Sequence, residues 1–413
     1  MNYPVHRRAS IYIVVLATTA LVVTMSLLGL ELARRDMFSG AVIRDSVDAR
    51  LAAESGIDYA MAYMHQNNWR GSVGDGIIAK AVPLGGAAFS ARLTDRSGDI
   101  TIPSFDVISI AAVGNSGNST VRVEARAQAA AVIPEHFDNV LCAQSSIKFE
   151  SCTVVGTGTI RTGGGALATL ASITQPVNVG TTALGVTYNG GTSVSSGALS
   201  TFDLASVLAH YRGIGTPVSL AQLSAGQIAN QVVSQDVTPW GVTNAYGVYV
   251  IDCQGRAIKV KDSRIIATLV FINASAGVEV SKSVQWVPGL STYPAIICDG
   301  SLALLPDAAD LSEPTIKVNF NPVGAAGTDR IGPTDIDKLD VYTSGIKGLV
   351  LGKDLTLGNA LRLNGVAVST SGATVQNSVR LQYDATIKST PPPGCTFVGE
   401  MYLLEGSMKR TLN

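Results

Sequence analysis

The stretch that decides the fold of the larger part of the chain is GLVLGKDLTLGNALRLNGVAVS, residues 348–369. It is built from apolar triplets such as Leu349-Val350-Leu351 and Leu355-Thr356-Leu357, each followed by a glycine. Because side chains alternate along a strand, the outer two members of each triplet face the same way. Such rungs bury that face only by stacking on one another, so the stretch predicts a parallel β-helix.

Strand-like runs extend this pattern towards the N-terminus, from Val248–Ile251 to Ala295–Ile297. The most apolar runs are about twenty residues apart, which is the size of one β-helix coil. We predict an all-β solenoid module over 246–405, with an irregular, proline-containing excursion at 306–345. The preceding region, 136–245, is predicted to be Gly/Ser/Thr-rich β structure with one short helix. A β-sandwich of two antiparallel sheets is the alternative fold for this module.

A small antiparallel sheet is predicted before this module. Apolar and polar residues alternate from Val121 to Ala129, which is typical of a strand with one wet face. Ala88–Leu93 and Val107–Ala112 offer two partner strands. With the helix that precedes it, this sheet forms a predicted unit over 33–135, and the fold class of the whole chain is α+β.

The N-terminal region contains an unbroken apolar run, Ile11 to Leu30, with no charged residue between Arg8 and Glu31. About 20 helical residues cross a bilayer core of ~30 Å, so the run predicts a transmembrane helix over 10–32. Arg7 and Arg8 favour a cytoplasmic N-terminus with the bulk of the chain exported. A cleaved secretory signal is the alternative, although its apolar region is usually only about 7–15 residues long.

A long helix is predicted to continue from the apolar run to about His65, because this segment contains no proline. A stripe of small residues recurs along it at spacings of three and four, and an apolar row of Ile43, Val47 and Leu51 lies beside it. The stripe consists of Ala49, Ala53, Gly56 and Ala60. Small residues let helices approach closely, so the stripe predicts packing against other helices; a core helix packed on its own domain is the alternative.

The N-terminal 60 residues resemble those of PilX-type minor pilins, which are type IV pilin-like proteins of bacteria. The resemblance is carried by a short basic leader, an apolar run ending at Leu27–Leu30, the pair Arg34-Arg35 and the string from Arg50 to Ala60. It implies a leader, 1–9, that a prepilin peptidase removes at the cytoplasmic face of the membrane. The implied processing signal is Arg7, Arg8, Ala9 and Ser10, with cleavage after Ala9.

The resemblance also implies a function. The helix would pack with other pilin-like subunits in a type IV pilus or a related secretion pseudopilus. Most pilins carry a glutamate five residues beyond the cleavage site, where this chain has Val14, and its absence favours a minor or initiating subunit. The chain would then be a non-enzymatic component of the inner membrane and cell surface. A membrane-anchored β-helix enzyme or binder acting on polysaccharide is the alternative.

Composition excludes several other classes. The 413 residues carry 30 Lys+Arg and 31 Asp+Glu, a net charge of −1, so no basic footprint for nucleic acid exists. Charged residues make up 15%, against about 25% in ordinary soluble domains, while 42 glycines point to many turns. These proportions argue against a soluble helix bundle. A short tail, 406–413, is predicted after the solenoid.

Few residues suggest chemistry. The five cysteines have no zinc-ligand spacing; Cys142 and Cys152 are the candidate disulfide, and cysteines stacked inside the coil are the alternative. The four histidines are far apart in sequence, and no nucleophile elbow is present. Two loose acidic sets read as solvated loop residues: Asp335, Asp337 and Asp340, and Asp307, Asp310 and Glu313. We therefore expect no catalytic residue, metal or cofactor, with Trp286 in the core and Tyr293 able to face a sugar.

Overall fold

The computed structural model divides the chain into two compact units, residues 1–131 with 398–413, and residues 132–397. It describes residues 6–66, 69–95, 107–169, 171–179, 183–184, 187–188, 192–194, 199–322 and 334–412. The α+β class and the parallel β-helix are both confirmed, and the β-sandwich alternative is not.

The first unit begins with one continuous helix, α1, from His6 to Met64, followed by a single turn, α2, at Trp69–Ser72. The predicted continuation of the apolar run into one long helix is therefore confirmed. Charged side chains pair along its exposed side at a spacing of four residues, as in Arg50 to Glu54, where Nε and Oε1 are 2.7 Å apart. Such pairs stabilise a helix by only a few tenths of a kcal/mol, roughly 0.2–0.5 each.

An antiparallel sheet packs against the second half of α1. Its strands are β1 (Ile77–Leu84), β2 (Ala87–Asp95), β3 (Ile108–Ser116) and β4 (Ser119–Val132). Two strands from the end of the chain, Phe397–Leu403 and Lys409–Leu412, pair with β4. The period-two pattern in β4 predicted its burial: Val121, Val123, Ala125 and Ala127 are buried. The predicted tail is thus wrong, because Lys409–Leu412 completes the sheet edge.

The second unit is a β-solenoid in which twenty of the described strands form one parallel sheet. The first group of strands is β5 (Asn139–Ala143), β6 (Ile147–Gly156), β7 (Thr159–Thr162), β8 (Ala166–Thr169), β9 (Ser172–Ile173), β10 (Val177–Val179), β11 (Ala183–Leu184), β12 (Thr187–Tyr188) and β13 (Thr192–Val194). Helix α3 (Leu204–Ile214) follows them. Its N-terminus is capped by Asp203, whose Oδ1 accepts a hydrogen bond from the Ser206 backbone N–H at 3.1 Å.

The second group continues the ladder. Its strands are β14 (Thr216–Val218), β15 (Gln227–Ala229), β16 (Val232–Val233), β17 (Val248–Asp252), β18 (Ile258–Ile266), β19 (Thr268–Ile272), β20 (Val278–Val287) and β21 (Ile296–Pro306). An excursion then holds β22 (Leu311–Ser312), α4 (Glu313–Ile316) and β23 (Val341–Tyr342). The last coils are β24 (Gly345–Leu357), β25 (Ala360–Ser369) and β26 (Ala373–Tyr383), followed by α5 (Thr386–Ser389). Because β21 pairs directly with β24, the described residues between them lie outside the ladder, in the region where the sequence predicts an excursion at 306–345.

The coils do not stack in the order of the chain. The last coil, β25 with β26, lies on the first, β5 with β6, so that Ala367 is in register with Leu141 and Val375 with Phe149. From β5 the coils run to β13, and from β14 a second series runs back to β26. The parallel ladder therefore extends well before residue 246, where the sequence pattern placed the start of the solenoid.

Two hydrophobic cores hold the solenoid together. One fills the coil interior and includes Phe149, Phe271 and Trp286, which are fully buried. The other lies outside the face formed by β5, β17 and β19, where α3 contributes Val207 and Tyr211. Because β19 is covered on both faces, it is buried at every position. Strands of this kind have continuous apolar sequences instead of alternating ones.

Candidate functional site

The N-terminal part of α1 presents a long apolar surface with no cover. Among the described residues it is the one helix that is long and apolar enough to span a membrane. Large side chains such as Leu16, Leu21 and Leu28 are each more than half exposed. Soluble proteins rarely expose an apolar patch of this extent, so the surface is suited to a bilayer or to other helices.

The predicted processing signal lies at the start of this helix. The backbone of Arg7, Arg8, Ala9 and Ser10 is helical and continuous with the apolar run. Residues 1–5 of the predicted leader lie outside the described residues. Cleavage after Ala9 by a prepilin peptidase stays a prediction.

The small-residue stripe packs on the sheet of its own unit. Ala49, Ala53 and Ala60 are fully buried, and a β-carbon built on Gly56 would lie 2.9 Å from the β-carbon of Ala112 in β3. The stripe therefore brings helix and sheet together, which is the second of the two roles open from the sequence. The neighbouring row is different: Ile43, Val47 and Leu51 are about half exposed or more. It continues the uncovered apolar surface beyond the membrane run.

The candidate disulfide is not formed. All five cysteines are free and buried, and Cys142 and Cys152 belong to different cores, the outer and the inner. In β5, Leu141 and Ala143 face the inner core, so alternation along the strand turns Cys142 to the outer core, whereas Cys152 of β6 faces the interior. Burial raises the pKa of Cys142 to about 12 and that of Cys152 to about 11, so both thiols stay protonated at neutral pH. Cys152, Cys253 and Cys298 lie inside the coil, where the alternative placed the cysteines, whereas Cys142 and Cys395 lie in the outer core.

One acidic side chain is not the solvated residue that the sequence suggested. Glu313, the first residue of α4, is fully buried. Its Oε1 accepts a hydrogen bond from the Phe320 backbone N–H at 2.5 Å, and its Oε2 accepts one from the Asp340 backbone N–H at 3.2 Å. Arg264 lies nearby with its guanidinium 4.0 Å from the ring centre of Tyr342. Because these partners satisfy the charge, the cluster holds the excursion against the coil.

A cleft opens at one corner of the solenoid, with a volume of about 720 Å³. Tyr293 lines it, as do Lys347, Asp384 and Thr386, which come from segments far apart in sequence. The Tyr293 ring is held edge-on by Tyr211 at 5.5 Å and stacks on Tyr246 at 6.3 Å. Burial, and secondarily Tyr246, raises the pKa of the Tyr293 phenol. Trp286 is fully buried, as expected, and its Nε1–H donates to the Ala267 carbonyl at 3.1 Å.

Sequence reasoning pointed to Tyr293 and missed the rest of the cleft. Lys347 and Asp384 carry no local signal, because the coil stacking alone brings β20, β24 and the segment after β26 to one corner. Among the described residues, no group of three or more potential metal ligands is present.

The chain shows only limited similarity to known proteins. No protein-family model matches the chain, and no curated protein is similar to it. Among solved structures, the competence-associated pilin ComZ from Thermus thermophilus is 12% identical, with 89% of this chain and 98% of that chain covered and a TM-score of 0.25. An ice-binding protein from an Antarctic biological consortium is 12% identical over 62% of this chain and 91% of that one, with a TM-score of 0.28. The DUF3494 domain of Shewanella frigidimarina ice-binding protein 1 is 11% identical over 61% and 98%, with a TM-score of 0.24. TM-scores of this size are too low to transfer a function.

Proposed function

We propose that the chain is a non-enzymatic, pilin-like assembly component of a type IV pilus or a related secretion pseudopilus. The observation that carries the proposal is α1 itself. Its first half exposes a membrane-length apolar surface, and its second half packs on an antiparallel sheet through Ala49, Ala53 and Gly56. The solenoid is then the part displayed outside the membrane.

The uncovered row on α1 supports assembly over simple anchoring. An anchor needs an apolar surface only within the bilayer, about 20 residues long. Here exposed apolar side chains continue past Arg34 and Arg35 through Met37, Ile43 and Val47. In water this extension would be costly unless other helices cover it, at about 25 cal/mol per Å² of apolar surface. Pilin-like neighbours packed along the helix would provide that cover.

The assembly surface is tested by changing the uncovered row. Val47→Arg places a charge on the row outside the membrane run, and we expect loss of incorporation into sheared surface filaments while the protein remains in the membrane. Val242→Arg, at an exposed valine of the solenoid, is the matched control and should assemble normally. Normal assembly of Val47→Arg would contradict the proposal.

The processing step is tested separately by N-terminal sequencing of the protein recovered from membranes. A mature chain that starts at Ser10 supports handling by a prepilin peptidase. A chain that keeps Met1 rules out that pathway and leaves the membrane anchor in place.

The solenoid cleft favours a second candidate, a membrane-anchored β-helix protein that binds or cleaves polysaccharide. Its corner position, its aromatic wall and its convergent hydroxyl groups are typical of small-ligand sites. Cleavage of an acidic polysaccharide by the purified chain would identify an enzyme, and binding without cleavage would identify a binder. If deletion of the chain also abolishes filament assembly, either outcome is compatible with a module displayed on a pilus. If filaments still form, the polysaccharide function stands alone.

A further inference from the structure

We infer that the corner cleft and the strip of side chains beside it bind one segment of an acidic polysaccharide rich in sugar carboxylates. The inference rests on the second candidate function and is independent of pilus assembly. The cleft lies where β20 and β26 end and β24 turns from one face of the coil to the next. Its lining includes Pro288, Tyr293, Lys347, Asp384 and Thr386.

The size and floor of the cleft suit one or two sugar rings. Its volume, about 720 Å³, lies within the range of small-ligand pockets, roughly 300–1,000 Å³. Leu349 and Ile387 in the lining are buried, so the floor is apolar and fixed. Tyr293 stands on this floor and is held by the rings of Tyr211 and Tyr246. A rigid aromatic wall covers the C–H face of a sugar at little cost in side-chain entropy.

Lys347 lies at the edge of the cleft and is the first member of a row of polar side chains. Lys347 is exposed, and within the described part of the chain its ammonium has no carboxylate within 4.0 Å. In the ladder Lys347 is in register with Asn364, and Asn364 with Gln382. Asn364 and Gln382 are exposed. Because neighbouring strands are about 4.8 Å apart, the three side chains form a straight row of one cation and two amides.

A second row of cations runs beside the first. Arg362 and Arg380 are exposed and in register on adjacent coils, two residues before Asn364 and Gln382 and on the same side of their strands. Two arginines at one strand spacing repel each other unless an anion lies between them. The described residues provide one carboxylate, Asp310, 3.4 Å from Nη1 of Arg362, and none within 4.0 Å of Arg380. The row therefore fits a ligand with carboxylates at regular spacing, which arginine holds by paired hydrogen bonds.

The interior of the cleft carries groups that can form hydrogen bonds with sugar hydroxyls. Asp384 lines the cleft, and its Oδ1 accepts hydrogen bonds from the Thr386 backbone N–H at 3.0 Å and Oγ1 at 2.6 Å. The Asp384 carboxylate accepts hydrogen bonds from sugar hydroxyls, while the carboxylates of the sugar are placed against Lys347 and the arginine row. Ser291, Thr292 and Thr390 add hydroxyls that donate and accept. With a net charge of −1 the chain also has no long-range attraction for a polyanion as dense as DNA.

The test measures binding of the full-length chain in detergent to oligogalacturonate, by titration calorimetry at low salt. Lys347→Ala and Arg380→Ala should each weaken binding about tenfold, as expected for loss of a charge-assisted contact. Lys353→Ala is the matched control, because Lys353 is exposed on the same strand and does not line the cleft. It should change the affinity less than about twofold.

A second variant separates the cleft from the charge. Thr292 is exposed on its rim, so Thr292→Trp fills the opening without disturbing the core, and we expect it to abolish binding at unchanged net charge. Equal binding by wild type and Thr292→Trp, or tighter binding of a DNA oligonucleotide than of oligogalacturonate, would overturn the inference. Filament assembly of Thr292→Trp should be normal, which keeps this result separate from the assembly proposal.

Discussion

Gly114 of β3 lies directly against Ala49 of α1: a β-carbon built on Gly114 would stand 1.9 Å from the Ala49 carbonyl oxygen and 2.5 Å from the Ala53 nitrogen. The small-residue stripe of the helix and this glycine of the sheet therefore form one close contact of backbone with backbone. The long helix approaches its sheet this closely because Gly114 has no side chain and the helix carries only alanines at this contact.

We expect Gly114→Val to separate α1 from the sheet. The branched side chain has no space, and the cost of overpacking such a contact is about 1–3 kcal/mol or more. Gly86→Ala is the control, since a β-carbon at Gly86 would meet nothing within 4 Å. Limited proteolysis of the membrane-bound chain measures the effect. We expect rapid cleavage in the first unit of the Gly114→Val variant and not in that of Gly86→Ala. Equal resistance of both variants would show that this contact does not hold the helix.

Membrane association is predicted to depend on the exposed apolar run and not on the helix beyond it. Val22→Arg places a charge near the middle of the run, at a cost of about 2.5–3.5 kcal/mol for insertion. We expect a larger fraction of this variant to be released by alkaline carbonate extraction. Met37→Arg, at an exposed apolar residue past the run, should stay in the membrane pellet. Release of both variants alike would contradict a span that ends near Leu32.

Local periodicity explains which parts of the fold were predictable. The single helix, the strands around Ala88–Leu93 and Val121–Ala129 and the rungs after Gly348 all follow from apolar residues at a fixed spacing. The first strand, β1, was not predicted, since its burial pattern does not alternate and its pairing with β2 contains register shifts.

Long-range pairing explains what was not predictable. The position of β25 on β5 joins residues more than two hundred positions apart, and no local pattern encodes it. The same stacking creates the corner cleft, so Lys347 and Asp384 had no recognisable signal as neighbours. The burial of Glu313 is likewise not predictable, because the backbone N–H groups of Phe320 and Asp340 that bind its carboxylate follow no sequence motif.

The cysteines are predicted to be inert in the folded protein. Burial raises the pKa of Cys253 to about 12, as it does for Cys142, so the reactive thiolate is scarce at pH 8. A maleimide reagent should therefore label none of the five thiols in the native chain and all five after unfolding in guanidinium. A native mass lower by two hydrogens, or failure to label Cys142 and Cys152 after unfolding, would instead indicate the disulfide.

The solenoid is predicted to lose stability in mild acid through His136. Its ring is fully buried beside Phe202, with Nε2 3.3 Å from Oε1 of Gln144, and burial lowers its pKa. The folded chain therefore favours the neutral ring. The stability that the neutral His136 ring contributes to the folded state is fully present above about pH 6.5, the ordinary pKa of histidine. It is lost as the pH falls towards the lowered pKa, by at most ~1.4 kcal/mol per pH unit.

The measurement is the melting temperature of the chain between pH 7.5 and pH 5. His136→Phe keeps the aromatic contact with Phe202 and removes the titrating group, so its melting temperature should fall less over this range than that of wild type. His65→Phe, at an exposed histidine of α1, should keep the wild-type dependence. Identical pH profiles for wild type and His136→Phe would exclude His136 as the cause.

The closure of the solenoid on its own first coil is predicted to depend on Gly156. This residue ends β6 with φ at +143°, and a β-carbon there would stand 1.6 Å from the Leu381 carbonyl oxygen of β26. That carbonyl accepts a hydrogen bond from the Thr157 backbone N–H at 2.9 Å, so it has no freedom to move away. Gly156→Ala should therefore lower the free energy of unfolding of the solenoid by about 2 kcal/mol or more.

Gly213→Ala in α3, where a β-carbon meets nothing within 4 Å, should instead raise the free energy of unfolding by up to about 1 kcal/mol through helix propensity. Denaturant unfolding followed by tryptophan fluorescence, to which the buried Trp240 and Trp286 of the solenoid contribute, measures both changes. An unchanged midpoint for Gly156→Ala would mean that the first and last coils are not held in this register.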